Sequence, residues 1–467
     1  MLRTSLILFG IWLVGMRLHA EELQVGVSVV DITPPTGYRM AGYFNERLNT
    51  GTHDPLQAKA LVLRQGDERA ALVFCDLVGI SRPVSERARE LAAKKTGIPP
   101  RNVLVAATHS HTGPLYSGAL RQYFHERAIA GNGADPHEKI DYSAVLAAKI
   151  AEAIDKAAKS TRPIAFSAGV ARQEGLSFNR RFHMKDGTVQ FNPGKLNPNI
   201  IRPAGPIDPD VGLLRFRTGD KDLALLTVFA LHLDTVGGTE YSADFPFHLE
   251  RKLRSVLGAE GVSLFGAGTC GDINHINVSN NDPQKGQMEA GRIGTTLGET
   301  VQEALPKLHP QRSPQLAVRR TIVSAPLQKY DAETIAQARK DMAKIGTREM
   351  PFLKQVETCK IVSLQMMPKE TLPMEVQVFR LSDEVAVVGL PGEVFVDLGL
   401  AIKKASPFPV TLVIELCNDA PAYVPTIKAF KEGSYEVVNS RVQSGGGEKL
   451  VEAATRLLME LADSRRP

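Results

Sequence analysis

The feature that most constrains this chain is a steady alternation of short, branched-apolar runs with longer stretches of helical periodicity. Leu23 to Val30, Ala60 to Arg64 and Ala70 to Phe74 predict strands. Ser85 to Lys95 predicts a helix, ended by Gly97 and Pro99-Pro100. Asn102 to Ala107 (NVLVAA) predicts a short buried strand, and Tyr142 to Lys159 a long amphipathic helix. Strands follow at Ile164 to Val170, Val211 to Phe216 and Leu223 to Ala230; then come a helix at Pro246 to Leu257 and a strand at Val262 to Phe265. Helices are expected at Gln287 to Leu305, Ala332 to Ile345 and Glu448 to Leu461. Between them lie strands at Leu316 to Val323, Glu375 to Leu381, Val385 to Leu390 and Thr411 to Ile414. Strands interleaved with helices predict an α/β fold: a mostly buried mixed sheet layered with helices, its active site at the strand ends. The segment Phe182 to Pro209 reads as a long functional loop, and no internal repeat is visible.

Composition supports a large core, with 43% hydrophobic residues among 467. The formal net charge of +5 comes from 56 basic and 51 acidic residues mixed along the chain. No basic block appears, which argues against a nucleic-acid partner. The first twenty residues predict a signal peptide: Arg3 precedes the apolar run Leu6 to Met16, and the segment closes on Ala20. Eleven apolar residues at ~1.5 Å each fall short of a ~30 Å hydrocarbon core. The expected organisation is a signal peptide at 1–20 and one catalytic domain at 21–467. The protein is expected to be secreted or periplasmic and soluble. Cys75, Cys270, Cys359 and Cys417 lie too far apart in sequence for zinc-knuckle spacing.

Five polar clusters follow predicted strands. In Thr108-His109-Ser110-His111, extended backbone would place both histidines on one face, suited either to zinc or to a hydrogen-bonded pair. His232 ends a strand, as a ligand or as a satisfied core histidine. Cys270-Gly271-Asp272-Ile273-Asn274-His275 is a turn able to aim polar groups into a site, or simply a tight turn. Glu393 follows Gly389-Leu390-Pro391-Gly392, where a carboxylate at the start of a helix meets a favourable dipole. The fifth cluster runs from Asn418 through Tyr423 to Tyr435. There is no G-x-S-x-G elbow, no H-E-x-x-H and no phosphate or dinucleotide loop.

An ordered series of fragments then resembles the neutral/alkaline (non-lysosomal) ceramidase family. It comprises Val25-Gly26-Val27, Asp31-Ile32-Thr33-Pro34, Met40-Ala41-Gly42-Tyr43, Thr108 to Pro114, Asn179-Arg180, Phe229 to His232, Cys270-Gly271-Asp272, Pro391-Gly392-Glu393, and Asn418 five residues before Tyr423-Val424. The resemblance implies an exported zinc amidohydrolase that cleaves the N-acyl amide of ceramide or a related lipid by zinc-activated water. It implies one Zn²⁺ held by His109, His232, Glu393 and Tyr423. His111, Arg180 and Tyr435 would act on the carbonyl or its oxyanion, and Glu393 would double as a proton shuttle. A lipid amide substrate implies transient contact with a membrane surface; no protein partner follows. The alternatives are a zinc esterase or deacylase of another acyl substrate, or a non-catalytic lipid- or glycan-binding relative. Two departures stand out. Gly271-Asp272-Ile273-Asn274 replaces the family's Gly-Asp-Val-Ser-Pro turn, and the family's C-terminal immunoglobulin-like domain is read as absent.

Overall fold

The computed structural model describes residues 22–367 and 370–464; the expected signal peptide lies outside them. One connectivity occurs three times in succession. Each unit runs through three antiparallel strands, a crossover helix, a fourth strand parallel to the third, and a second helix.

The first unit comprises β1 (Gln24–Asp31), β2 (Gln57–Gln65), β3 (Glu68–Cys75), α1 (Arg82–Thr96), β4 (Val103–Ala107) and α2 (Tyr142–Lys159). The second comprises β5 (Ala165–Arg172), β6 (Asp210–Thr218), β7 (Lys221–Phe229), α3 (Phe245–Leu257), β8 (Val262–Ala267) and α4 (Gly286–Ala304). The third comprises β9 (Pro314–Pro326), β10 (Thr371–Ser382), β11 (Val385–Gly389), α5 (Val396–Ala405), β12 (Val410–Ile414) and α6 (Gly446–Asp463). The parallel registers match in kind: Val73 faces Val105, Leu226 faces Leu264, and Val387 faces Leu412. The mixed α/β reading holds, but the single layered sheet becomes several sheets. The repeat escaped the sequence because it resides in strand order, not in residue identity.

Local signals account for the elements. Asp141 caps α2 by accepting from the Ala144 amide at 3.0 Å, and Leu146, Ile150 and Ile154 bury its inner face. Gly97, in the left-handed region at φ 70°, ends α1. The short fourth strands read as unbroken apolar runs because both faces are covered. In β4, Leu104 and Ala106 face an inner core, whereas Val103, Val105 and Ala107 face the helices. That inner core is shared by all three sheets: Leu72 and Leu104 meet Leu214 and Leu264 from the second, and Phe379 and Leu412 from the third. At roughly 1.5–3 kcal/mol per buried large side chain, this shared layer holds the units together.

The ends of the strands are also sewn to one another. The Asn418 amide donates to the Val105 carbonyl at 2.7 Å, the Glu415 amide to Ala267 at 3.0 Å, and the His111 amide to Leu233 at 3.1 Å. These bonds close a ring around one end of the inner core. The segment 182–209 is not a bare loop. It carries a small antiparallel sheet formed by Arg181–Met184, Val189–Phe191 and Ile200–Pro203. Two further helices, Gly118–Asn132 and Phe352–Gln365, were not expected from sequence. No helix among the described residues is long and apolar enough to cross a membrane.

Candidate active site

His109 lies two residues past β4 and takes φ 83°, a conformation that costs a non-glycine residue of order 1–3 kcal/mol. The expected rule of alternate residues in extended backbone therefore does not explain how His109 and His111 meet; the kink at His109 does. Its Nδ1 hydrogen-bonds to the Val78 carbonyl at 2.7 Å, turning Nε2 inward. There Nε2 lies 2.8 Å from His232 Nε2 and 3.4 Å from His111 Nε2. Gly42 explains the Met40-Ala41-Gly42-Tyr43 motif: at φ 100°, a Cβ on it would meet the His111 carbonyl oxygen at 2.5 Å.

Glu393 is not in the first turn of a helix, because α5 begins only at Val396. It sits instead in a two-residue strand paired in register with Tyr423. That pairing brings the two residues together, so the helix-dipole account is replaced by a strand bridge. Gly392, at φ 80°, allows the turn; a Cβ there would sit 2.7 Å from the Ala422 carbonyl oxygen. Glu393 Oε2 lies 3.4 Å from His109 Nε2 and 3.7 Å from His232 Nε2. That Oε2 atom is buried and makes no hydrogen bond.

Arg180, 3% exposed, follows a short strand pairing Phe178–Asn179 with Ile273–Asn274. Its Nε donates to Glu436 at 2.9 Å and its Nη2 to the Gly271 carbonyl at 2.8 Å. The guanidinium carbon lies 5.4 Å from the ring centroid of Tyr423 and 5.8 Å from that of Tyr435. Glu436, fully buried, also accepts from Arg181 at 3.0 Å. Sequence reasoning missed Glu436; its adjacency to Tyr435 was the available signal. It missed Asp234 as well, which follows His232 by two and hydrogen-bonds His275 Nδ1 at 3.1 Å.

Electrostatics separates the three histidines. Burial, then His109, pushes the His111 pKa down to about 4, and burial holds His232 well below its usual value. Burial also opposes a charge on His109, but Glu393 outweighs it and raises its pKa. Burial and the Glu393 carboxylate push Tyr423 well above the usual phenol value, so its hydroxyl donates to Glu393 in this arrangement. Burial raises Tyr435 to about 12, keeping a proton on its oxygen.

The donor set fits a zinc-type ion. Three ring nitrogens on His109, His111 and His232 lie within 4.8 Å of one another, and a carboxylate oxygen of Glu393 lies beside two of them, His109 and His232. The two 3.4 Å separations match the edge of a tetrahedron with bonds of ~2.0–2.1 Å. The 2.8 Å His109–His232 pair is a hydrogen bond sharing one proton. His109, His232 and Glu393 of the sequence-derived set thus meet in one place, with His111 3.4 Å from His109.

Asn274 is engaged elsewhere. Its amide donates to Asn192 at 3.0 Å and its carbonyl accepts from the Ile276 amide. Asn418 likewise ties β4 to Gln377, accepting from the Val105 amide at 2.9 Å. All four cysteines are buried and free.

The cluster opens into a cavity of about 730 Å³. Its lining includes His109, His111, Glu393, Tyr423 and Tyr435, together with apolar side chains such as Val84, Leu120, Met366 and Leu372. Phe191 and Phe352 stack on Tyr435, with centroids 4.5 and 5.6 Å away.

Residues 23–241 match the model of the neutral/alkaline non-lysosomal ceramidase N-terminal family. The chain is 27% identical over 221 residues to a neutral ceramidase of Mycobacterium tuberculosis, covering 45% of this chain and 32% of that protein. It is 26% identical over 242 residues to the neutral ceramidase of Pseudomonas aeruginosa, covering 49% and 33%. These alignments thus span about a third of each curated relative. The crystal structure of the Pseudomonas aeruginosa neutral ceramidase shares the fold, with a TM-score of 0.69 at 18% identity over 94% of this chain and 75% of that one. A ceramidase complexed with C2 matches with a TM-score of 0.66 at 17% identity, over 94% and 76%. The family resemblance read from the sequence is therefore borne out: residues 23–241 match the neutral/alkaline non-lysosomal ceramidase family model, and the chain shares the fold of a neutral ceramidase.

Proposed function

We propose that the protein is a zinc-dependent amidohydrolase acting on an N-acyl lipid of the ceramide kind. The observation that carries this reading is the buried Glu393 Oε2, free of hydrogen bonds, beside the His109 and His232 nitrogens of a three-histidine cluster that faces a partly apolar cavity. His109, His232 and Glu393 would hold the ion, with Tyr423 or His111 completing the set. Zinc at such a site polarises an acyl carbonyl and acidifies a water. The chain's own groups then shape the reaction. Arg180 is held from behind by Glu436 and the Gly271 carbonyl, so its charge is fixed before substrate arrives. Preorganised charge of this kind stabilises a developing oxyanion. The Tyr435 hydroxyl, protonated at neutral pH, is a second donor. Neutral His111 and the Glu393 carboxylate would carry a proton to the leaving amine. Asn274 cannot serve as a nucleophile, so no seryl intermediate forms there.

The test is metal analysis of the purified protein together with turnover on a panel of N-acyl amides and O-acyl esters. About one zinc per chain is expected, with hydrolysis lost on chelation, restored by zinc and unaffected by fluorophosphonates. Full occupancy without turnover on any of the panel would turn the reading into a binding protein; turnover on esters alone would make it an esterase. Residues 1–20 are proposed as a signal peptide, which N-terminal sequencing of exported protein checks by a start at Glu21.

A further inference from the structure

The cavity wall carries cations that the proposed chemistry does not use. Arg441 lines it, and its guanidinium makes no hydrogen bond or ion pair among the described residues; its Nε is buried without a partner. The carboxylates acting on it from a distance are Asp419 and Glu393, and both are occupied. Asp419 is paired with Arg82 at 3.0 Å, and Glu393 belongs to the histidine cluster. Lys360 lines the same cavity and is 4% exposed. Its Nζ meets only the neutral Gln328 side chain at 3.0 Å and the Tyr330 ring face at 5.1 Å. Burial lowers Lys360 to about 8 against the charge of Glu357, which is itself paired with Lys354 at 2.8 Å. Arg441 has no such direct partner, and a desolvated guanidinium without a paired counter-charge is costly unless something brings one.

We propose that the preferred substrate is an N-acyl amide whose amine half carries an anionic group, a carboxylate or sulfonate, and that Arg441 is the subsite reading it. The acyl chain belongs against the apolar side chains of the cavity, which leaves the amine half for the guanidinium. Charge-assisted bonds from a planar guanidinium are the strong kind. The reaction in this inference rests on the amidohydrolase reading; the binding preference does not.

The experiment compares zinc-loaded protein on N-decanoylglycine, N-decanoyltaurine and the neutral N-decanoylglycinamide. We expect kcat/KM for at least one anionic amide to exceed the neutral one about tenfold, with Arg441→Gln lowering that ratio about tenfold through KM and Arg441→Lys restoring part of it. A ratio near one in the parent protein, or one unchanged in Arg441→Gln, overturns the inference while leaving the hydrolase reading intact. If none of the three is cleaved, the hydrolase reading is decided on the wider panel and calorimetry decides this one. Decane-1-sulfonate binding about tenfold tighter than decan-1-ol, with the preference lost in Arg441→Gln, supports the subsite. Equal affinities, or a preference that survives the substitution, refute it.

Discussion

Two walls of the same cavity are built in different ways. One is made from the ends of repeated strands: His109 past β4, His232 past β7, Glu393 past β11 and Tyr423 past β12. Backbone bonds between units sew these ends together. The other is made from segments that interrupt the repeat, namely helix Gly118–Asn132, helix Phe352–Gln365 and the stretch from Ile427 to Arg441. The first wall holds the metal-type ligands at fixed separations. The second supplies aromatic faces, apolar side chains and spare cations. The difference teaches that a repeated scaffold positions the reactive groups, whereas unrepeated insertions shape what the substrate meets.

The largest expected effect lies on the scaffold wall. His109→Ala or His232→Ala should abolish zinc binding and lower kcat/KM at least about a thousandfold on every substrate, read by metal analysis and steady-state rates. Full metal retention in either variant would place the ligands elsewhere. Next comes Glu436→Gln, which leaves the ligands alone but loosens Arg180. We expect kcat to fall about ten- to a hundredfold with zinc content unchanged, in line with losing an oxyanion donor's fixed position. A change in KM alone would move Arg180 from the reacting carbonyl to substrate binding. On the insertion wall, Phe352→Ala removes a ring stacked on Tyr435. It should raise KM severalfold for long acyl chains and leave kcat within about twofold; an equal loss for short chains would mean that the ring supports Tyr435 instead.

A smaller effect tests the rigidity of the scaffold. Asp76, just past β3, is 4% exposed and burial pushes its pKa up to about 7, against the nearby Lys59 charge. An unfolded aspartate titrates near ~3.9. Between roughly pH 4 and 7 the folded chain thus holds a proton that the unfolded chain has released. Folding stability from this group is present at low pH and declines as pH rises through that window. Asp76→Asn should flatten this decline, measured as urea midpoints at pH 5 and pH 8. A variant with the same pH dependence as the parent would show that Asp76 is already ionised. Smallest of all is the effect of mild proteolysis. We propose that residues 21–467 behave as one unit, with the first cuts between 182 and 209 and no pair of stable halves.

Much of the scaffold wall was legible in the sequence. Runs such as Val103 to Ala107 and Val410 to Ile414 declare themselves because burial on both faces leaves no room for a polar residue. His109, His232 and Tyr423 stood out because polar groups directly after such runs must lie at sheet ends. Glu393 was found for the wrong local reason, since its strand bridge to Tyr423 depends on a partner thirty residues away. The insertion wall was mostly hidden. Helix Gly118–Asn132 buries only Ala119 and Phe124, so it has little apolar periodicity to detect. Arg441 and Lys360 look like ordinary surface cations until the cavity behind them is known. The threefold connectivity was invisible because equivalent strands share partners and direction but not side chains, and the insertions between them differ in length.

The same connectivity sets an order on how the protein comes into being. During synthesis the first unit leaves the ribosome with His109 and His111 but nothing opposite them. His232 arrives with the second unit, and Glu393 and Tyr423 arrive only with the third. A nascent chain released early would carry two or three histidines on an incomplete ring, able to scavenge metal without a carboxylate to complete the site. Contacts between such distant segments form late, because the cost of closing long loops comes before any reward. Under the zinc reading proposed above, metal loading would therefore be a report on finished translation: the ion would find its full set of ligands only when nearly the whole chain has been made and its last sheet has docked.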